Sequence, residues 1–309
     1  MKVVVALGGN ALLQRGQALT AENQRDNVRT AVKQLAAIHE NHQLVIAHGN
    51  GPQVGLLALM DEAYKPVDLP LDVLVSETIG MIGYVIEQEL GNIIPFDDHI
   101  VTLLTQVLVD QNDPAYKNPT KFIGPVYDEA EATKIKEEKG WHMSRDGDKF
   151  RRVVSSPLPQ RIIEINVIKM LVDNNVVVIC AGGGGIPVAY DNKNRLFGIE
   201  AVIDKDLASG LLANNLEADM FVMLTDVATI FTDFGTANQR AIKSAHPDAL
   251  EEMNFAAGSM GPKVLGACQF VRDTGGTSAI GQLSDLTEIM QGNAGTIIST
   301  KVNGIEYWD

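Results

Sequence analysis

The segment VVVALGGN at residues 3–10 decides the fold class of this chain. Its apolar, mostly β-branched start predicts a short buried strand, and the Gly-Gly-Asn that follows predicts a tight turn. The same arrangement returns in IAHGNGP at residues 46–52 and in VVVICAGGGG at residues 176–185. Strands that are apolar on both faces are typical of parallel sheets covered by helices.

The rest of the chain alternates apolar runs with segments of helical period. Further strands are predicted at residues 44–47, 101–109, 176–181, 220–224 and 296–299. Helices are predicted at residues 27–40, 160–173, 207–216 and 263–272. This alternation predicts an α/β fold.

The composition is that of an ordinary globular protein. Of the 309 residues, 45% are hydrophobic and 21% are charged, which excludes a disordered chain, collagen and a disulfide scaffold. The formal net charge of −14 repels the phosphate backbone of nucleic acids. We expect a single domain over residues 1–309 that binds no nucleic acid.

The cysteines and the N-terminus bear on location. Cys180 and Cys268 are the only cysteines, and they form no Cys-x-x-Cys pair for zinc or redox chemistry. The N-terminal apolar run is too short for a signal-peptide core or a membrane span. We expect a cytoplasmic protein that does not bind membranes.

The pattern changes between residues 110 and 152. Three prolines and many charges interrupt it, and its one helical piece, residues 129–139, has no strong apolar stripe. Because long insertions into compact α/β domains are often functional, we interpret residues 111–152 as an inserted subdomain, or lid. A solvated excursion without a role is the alternative.

Three glycine clusters follow predicted strands, at residues 8–10, 49–51 and 182–185. In open parallel sheets, ligands bind outside the carboxyl ends of the strands, where backbone amides and helix N-termini attract anions. Glycine lets those amides approach a phosphate closely, although any one of these turns alone could be a plain connection. The P-loop pattern and a G-x-G-x-x-G after a strand are both missing from the sequence, which argues against those nucleotide sites.

Three separated lysines, Lys121, Lys205 and Lys263, could supply the positive charge that phosphoryl transfer requires. Lys205 and Lys263 lie at predicted helix starts, where a cation opposes the helix dipole, so stability does not explain them. Asp206 could hold these ammonium groups by ion pairing. The alternative is that Asp206 only caps its helix and the lysines are solvated.

Other polar residues leave two interpretations open. Thr225 and Asp226 follow a predicted strand and either contact a ribose or begin a turn. Arg152, the second residue of an Arg-Arg pair, serves a phosphate or pairs on the surface.

The histidines favour no metal site. His39 and His42 lie three residues apart on a predicted helix without a further ligand, and we interpret them as surface histidines. His48 precedes a glycine turn and either shapes it or is a core histidine.

Eight segments, in order, resemble those of carbamate kinases in the amino acid kinase family, and the resemblance runs from residue 3 to residue 300. It rests on VVALGGNA (4–11), HGNGPQVG (48–55), VD with DPA (109–110 and 113–115), NPTK (118–121), RRVV (151–154), GGGGIPV (182–188), AVIDKD (201–206) and GSMGPK (258–263).

The resemblance implies a three-layer α/β sandwich with a mainly parallel central sheet and a protruding subdomain. It also implies a homodimer that forms ATP reversibly from ADP and carbamoyl phosphate, with Mg²⁺ carried by the nucleotide phosphates and no metal ligand from the protein. Arginine breakdown and allantoin or purine breakdown both remain open as the pathway. The alternative functions are a kinase with another acceptor and a nucleotide-binding protein without turnover.

The resemblance also assigns site residues. Lys121, Lys205 and Lys263 would surround the transferring phosphoryl group, organised by Asp206. Carbamate or carbamoyl phosphate would be held by Gly8, Gly9, Asn10, Gly49, Asn50, Gly51 and Arg152. ATP or ADP would be held by Gly182, Gly183, Gly184, Thr225, Asp226, Met260 and Pro262.

Three positions separate this chain from similar sequences. Acetylglutamate kinases and related enzymes tend to carry a lysine where this chain has Ala6, so Lys205 would supply that charge, which favours the carbamate kinase branch. Phe122 stands where many carbamate kinases have proline, and Ala228 stands where an acidic residue is common.

Overall fold

The first strand shows how the sheet is covered. The computed structural model describes residues 1–14, 16–64, 69–255 and 259–309, without the side chains of Asn10 and Glu62. In the first strand, β1 (Lys2–Leu7), Val4 and Ala6 join one hydrophobic core, whereas Val3 and Val5 join another, and all four are fully buried. Because successive strand residues point to opposite faces, helices cover both faces of the sheet.

The strands are β1 Lys2–Leu7, β2 Gln43–His48, β3 Ile100–Thr102, β4 Gln106–Val109, β5 Lys121–Tyr127, β6 Met143–Asp146, β7 Lys149–Val154, β8 Pro159–Ile162, β9 Val177–Ile179, β10 Ile186–Tyr190, β11 Leu196–Gly198, β12 Met220–Thr225, β13 Phe231–Thr232, β14 Arg240–Ala245, β15 Thr277–Gln282, β16 Thr296–Ile298 and β17 Ile305–Tyr307. The α-helices are α1 Ala21–His39, α2 Gly51–Ala63, α3 Leu71–Gly91, α4 Glu129–Lys139, α5 Ile165–Asp173, α6 Lys205–Asn215, α7 Pro247–Glu251, α8 Met260–Thr274 and α9 Leu286–Gln291.

The central sheet has the strand order β13-β14-β16-β15-β12-β1-β2-β9-β3, with β17 beside β14. From β15 to β3 every neighbouring pair is parallel, and the antiparallel pairs lie toward the β13 edge. One core packs α5, α6 and α8 on the sheet, and the other packs α1, α3 and α9 on its opposite face. The predicted three-layer α/β fold with a mainly parallel sheet is therefore confirmed.

The strand predicted at residues 101–109 is wrong as one element. It divides into β3, at the edge of the central sheet, and β4, in a second sheet of order β11-β10-β4-β8. Thr105 lies at the break, where its hydroxyl accepts a hydrogen bond from the Ala181 amide at 2.9 Å and its carbonyl accepts one from Ile186 at 2.8 Å. Apolar residues on both sides of Thr105 and Gln106 make the two halves resemble one strand in the sequence.

The helix predicted at residues 160–173 is wrong in its first turn. Residues 159–162 form β8, which pairs antiparallel with β4, and the helix α5 begins only at Ile165. Pairing with a strand about fifty residues earlier in the chain overrides the local helical period. The predicted helix at residues 129–139 is confirmed as α4, with Asp128 capping its start and Gly140, at φ 68°, ending it.

The inserted region forms a small sheet of its own, of order β5-β7-β6. Strand β5 packs against α2 so closely that a Cβ on Gly55 would lie 2.5 Å from the Gly124 Cα. Strand β7 continues to Val154, two residues past the predicted boundary of the lid. Within the described residues, we find no helix whose length and apolar character would let it cross a membrane.

Candidate active site

Two helices bring the predicted lysines together at the carboxyl edge of the central sheet. Helix α6 begins at Lys205, and helix α8, which begins at Met260, carries Lys263 in its first turns. The helices cross at a glycine pair, because a Cβ on Gly210 would lie 3.2 Å from the Gly266 carbonyl oxygen. This close approach sets the starts of the two helices side by side.

Asp206 connects the two lysines. Its Oδ1 accepts a hydrogen bond from Lys205 Nζ at 2.6 Å, and its Oδ2 accepts one from Lys263 Nζ at 2.7 Å. The Asp206 residue is only 5% exposed. Burial alone would raise the pKa of Asp206, but the two ammonium groups outweigh burial and hold the pKa well below its usual range.

The alternative of solvated lysines beside a helix-capping Asp206 is wrong. The helix cap is Asp204, whose side chain accepts hydrogen bonds from the backbone amides of Asp206 and Leu207. The side chains of Lys205 and Lys263 are 12% and 14% exposed. Burial lowers the pKa of Lys205, and Asp206 opposes this shift, so the buried positive charge depends on its carboxylate.

Lys121 reaches the same place from the inserted sheet. It is the first residue of β5, and its Nζ lies 2.7 Å from Asp204 Oδ2. The structure thus brings all four predicted catalytic residues, Lys121, Lys205, Lys263 and Asp206, to the start of α6. Sequence reasoning missed Asp204, although an aspartate before an apolar helical segment is a helix-start signal.

The glycine turns of the first two parallel strands meet here. A Cβ on Gly49 would lie 3.3 Å from the Gly9 amide nitrogen, and one on Gly8 would lie 2.6 Å from the Leu224 carbonyl oxygen. A side chain at residue 8 would overlap the backbone of β12, and one at residue 49 would force a small shift of the first turn. Asn50, which is 3% exposed, donates a hydrogen bond to the Thr78 hydroxyl at 2.9 Å. The side chain of Asn10, a predicted substrate contact, lies outside the part of the chain that the structure describes.

The third glycine turn packs against the turn after β2. Gly182, Gly183 and Gly184 are buried, and Cβ atoms on the first two would overlap the His48 ring and the Asn50 amide. Glycine at these two positions therefore lets the two turns approach closely. The contact of the three glycines with the nucleotide stays a prediction.

Two neighbouring cavities open beside the lysines. The larger, about 1060 Å³, is walled by aromatic and apolar side chains that include Phe231, Phe234 and Met260. The smaller, about 390 Å³, is lined by Gly8, Gly9 and Lys205 among others. Both are also lined by Thr225, Asp226 and Lys263. An apolar pocket that joins a cationic end suits a ligand with a flat base and phosphates.

Arg152 and Pro262 are among the predicted site residues that line neither cavity. Arg152 lies on β7 with its guanidinium 4.0 Å from the Trp141 ring centroid and 3.8 Å from Glu200 Oε1. Pro262, unlike Met260, is not among the residues that line the larger cavity. Neither placement tests the proposed contact with a bound ligand.

The histidines and cysteines are placed outside the lysine cluster. His39 pairs with Asp98 at 2.9 Å, a partner that the sequence did not reveal, and lines a separate cavity with His42. His48 is fully buried, and its Nδ1 lies 3.1 Å from the Gly49 carbonyl oxygen. Burial lowers the pKa of His48 to about 4. Cys180 and Cys268 are buried free thiols.

Comparison with known proteins agrees with this geometry. The family model described as "Amino acid kinase family" matches residues 1–281. The chain is 59% identical over 309 residues to a carbamate kinase of Haemophilus influenzae, covering all of both chains. It is 44% identical to a carbamate kinase of Pyrococcus furiosus, over 96% of this chain and 98% of that one.

Solved structures show the same relation. The carbamate kinase from Giardia lamblia bound to AMP-PNP superposes with a TM-score of 0.88 at 40% identity, covering 96% of this chain and 98% of the other. A UMP kinase from Bacillus anthracis, at 13% identity and a TM-score of 0.57, shares the fold alone. On this evidence the chain belongs to the amino acid kinase family, among its carbamate kinases.

Proposed function

We propose that this protein is a carbamate kinase that transfers a phosphoryl group reversibly between ATP and carbamate, and that it makes ATP from ADP and carbamoyl phosphate. The observation that carries the proposal is the cluster of Lys121, Lys205 and Lys263 around two carboxylates at the start of α6. The full-length likeness to carbamate kinases supports the choice of substrate.

The chemistry needs charge compensation more than proton transfer. In the direction of ATP synthesis, an oxygen of the ADP β-phosphate attacks the phosphorus of carbamoyl phosphate. The bond between that phosphorus and the carbamoyl oxygen breaks, and carbamate leaves with the electron pair. Because the attacking oxygen is already anionic, no general base is required. Preorganised ammonium groups stabilise the negative charge on the transferring group.

The end of β1 supports this branch of the family. Ala6 is fully buried in the core beneath the sheet, where a lysine would have to bury an ammonium group. Lys205 stands at the edge of the smaller cavity with Asp206 as its partner. We infer that Lys205 supplies the charge that related kinases place on the first strand.

The donor set supports a metal that arrives with the nucleotide. Asp204 and Asp206 are both engaged by lysines, and the described residues contain no group of three or more His, Cys, Asp or Glu placed to hold a metal ion. We propose that Mg²⁺ is bound by the phosphates of ADP or ATP, whose charge it neutralises.

We also propose that residues 111–152 act as a lid that brings Lys121 to the phosphoryl group. The position of Lys121 at the start of β5 and its contact with Asp204 support this role. Deletion of the lid should abolish turnover while the central sheet stays folded by circular dichroism. An active truncated enzyme would contradict the role of Lys121.

A homodimer in the cytoplasm completes the proposal. Exposed apolar residues cluster on α3 and around the edge strand β3, with Tyr84 54%, Leu104 52% and Phe96 99% exposed. A second copy that covers this surface would bury them. Light scattering should give twice the chain mass, and Phe96→Asp should shift it toward one chain. Two buried free thiols favour a reducing compartment.

The first experiment is ATP formation from Mg²⁺, ADP and carbamoyl phosphate by the purified chain, beside Lys263→Ala and the exposed control Lys33→Ala. Lys263→Ala should lose roughly 10²-fold or more in turnover, because it removes charge at a preorganised site, and Lys33→Ala should match the wild type. Full activity in Lys263→Ala would contradict the mechanism. A wild-type chain that binds ADP without turnover would contradict the substrate.

A further inference from the structure

The lid contacts one short segment of the core at every second residue. Residues 200–204 lead directly into α6, and we call them the docking segment. Glu200 Oε1 lies 3.8 Å from Arg152 Nη2 of β7, and Asp204 Oδ2 accepts a hydrogen bond from Lys121 Nζ of β5 at 2.7 Å. Between them, the Val202 amide donates a hydrogen bond at 3.0 Å to the carbonyl of Ser155, the residue that follows β7. Residues 200, 202 and 204 thus join the docking segment to the lid.

Asp204 ends the docking segment and uses its two carboxylate oxygens differently. Oδ1 accepts hydrogen bonds from the backbone amides of Asp206 at 2.9 Å and Leu207 at 3.4 Å, and so caps α6. Oδ2 accepts a hydrogen bond from Lys121. The residue that fixes the start of the lysine-bearing helix is therefore also the residue that holds the lid lysine.

We propose that Asp204 is a positioning residue, whose charge places the Lys121 ammonium group beside the pair of Lys205 and Lys263. The inference rests on the proposed phosphoryl transfer. An ammonium group has three N–H donors, so Lys121 can keep its bond to Asp204 and still donate to phosphoryl oxygens. Asp204 precedes Lys205 by one residue, which ties the lid lysine to the same helix start as the other charges.

The cap and the charge can be separated by substitution. In Asp204→Asn, the side-chain carbonyl replaces Oδ1 at the two amides, and asparagine caps helices as well as aspartate does. The NH₂ group then replaces Oδ2 and faces the Lys121 ammonium group, donor against donor. In Asp204→Ser, a hydroxyl keeps the cap and leaves Lys121 without a partner. Both variants should fold, so a loss of activity would report on the charge.

The matched control is Asp191, which has the same two-oxygen arrangement away from the cluster. Its Oδ1 accepts hydrogen bonds from the backbone amides of Lys193 and Arg195 at 2.8 Å, and its Oδ2 pairs with the Arg195 guanidinium at 2.8 Å. Asp191→Asn should leave kcat and both KM values within twofold of the wild type.

We expect Asp204→Asn and Asp204→Ser to lower kcat at least tenfold with the KM for ADP changed less than twofold. In a Lys121→Met background, Asp204→Asn should have no further effect, because no ammonium group remains to be placed. A kcat within twofold of wild type, or a loss that multiplies with that of Lys121→Met, would overturn the positioning role and leave Asp204 as a cap only.

A second measurement does not depend on turnover. With lysines labelled by ¹³C-methylation and the Lys121 signal assigned through Lys121→Met, the chemical shift of the Lys121 methyl groups should change in Asp204→Asn, because their carboxylate partner is gone, and stay the same in Asp191→Asn. An unchanged Lys121 signal in Asp204→Asn would overturn the inference. If that signal moves but the wild-type chain forms no ATP from carbamoyl phosphate, the pairing stands and the proposed function is what fails.

Discussion

Replacement of Asp206 by asparagine tests the energetics on which the site depends. At contacts of 2.6 and 2.7 Å, Coulomb attraction at an effective dielectric constant of about 20 amounts to about 6 kcal/mol per pair. The cost of taking the three charges out of water offsets most of it. Removal of one partner from a buried ion pair typically costs about 3–5 kcal/mol, and we expect Asp206→Asn to lower the free energy of unfolding by that amount at pH 7.

The loss in free energy of unfolding that Asp206→Asn causes, called the deficit below, should depend on pH. Burial already lowers the pKa of Lys205, and loss of Asp206 lowers it further. Above this folded-state pKa and below the unfolded value of about 10.4, the unfolded chain binds the proton and the folded chain does not, so stability rises with pH. The deficit of Asp206→Asn should therefore be smaller at pH 9 than at pH 7.

Urea unfolding followed by circular dichroism at both pH values measures these differences. Asp273→Asn, an exposed carboxylate on α8, should change stability by less than about 0.5 kcal/mol. The double variant Asp206→Asn/Lys263→Met, which leaves only one buried ammonium group, should recover part of the deficit. A single variant within about 1 kcal/mol of wild type, or a deficit that grows toward pH 9, would refute the assignment of buried, mutually dependent charges.

Three further predictions concern the surroundings of the site. Gly55→Ala should lower the free energy of unfolding by about 1–3 kcal/mol and reduce turnover, because its Cβ would meet the Gly124 backbone of the lid at 2.5 Å; wild-type urea unfolding and kinetics would contradict this. Gln53→Leu should raise the free energy of unfolding by about 1 kcal/mol. The Gln53 amide is buried, and among the described residues neither its oxygen nor its nitrogen has a hydrogen-bond partner. A variant that is less stable in urea would show that the amide does form hydrogen bonds. Burial lowers the pKa of His48 to about 4, so between pH 6.5 and pH 4 only the unfolded chain binds a proton at this residue. As the pH falls through this range, the wild type should lose roughly 3 kcal/mol of its free energy of unfolding. Urea titrations of His48→Asn should lack that part of the loss.

The elements that sequence predicts well are those whose residues share one environment. The strands β1, β2 and β12 are buried on both faces over nearly their whole length, so their apolar runs match their bounds closely. Helix α3 was not predicted, although it is 21 residues long. It buries one face and exposes Met81 and Tyr84 on the other, and apolar residues all around a helix hide its period.

The site is predicted less completely than the fold, because its contacts join distant residues. Sequence motifs nominated Lys121, Lys205 and Lys263, but the partner of Lys121 lies 83 residues away and the contact between Lys263 and Asp206 spans 57 residues. No local pattern encodes which carboxylate each lysine meets. The glycine clusters show the same limit, because no local pattern reveals that the turn at residues 182–184 packs against His48 and Asn50.

The sequence singles out Lys205 and Lys263 because a lysine is unfavourable at the start of a helix. A cation at the start of a helix opposes the helix dipole, and Lys205 is the first residue of α6. The acidic residues on both sides of Lys205 offset this unfavourable interaction, because Asp204 caps the helix and Asp206 pairs with the Lys205 ammonium group. The same two carboxylates receive Lys121 and Lys263, so the groups that make the buried lysine tolerable also assemble the other two charges. The same two carboxylates thus stabilise the start of α6 and assemble the cationic site. Because Asp204 holds the more exposed Lys121 and Asp206 holds the buried lysines, replacement of Asp204 should lower mainly kcat, and replacement of Asp206 should also lower the free energy of unfolding.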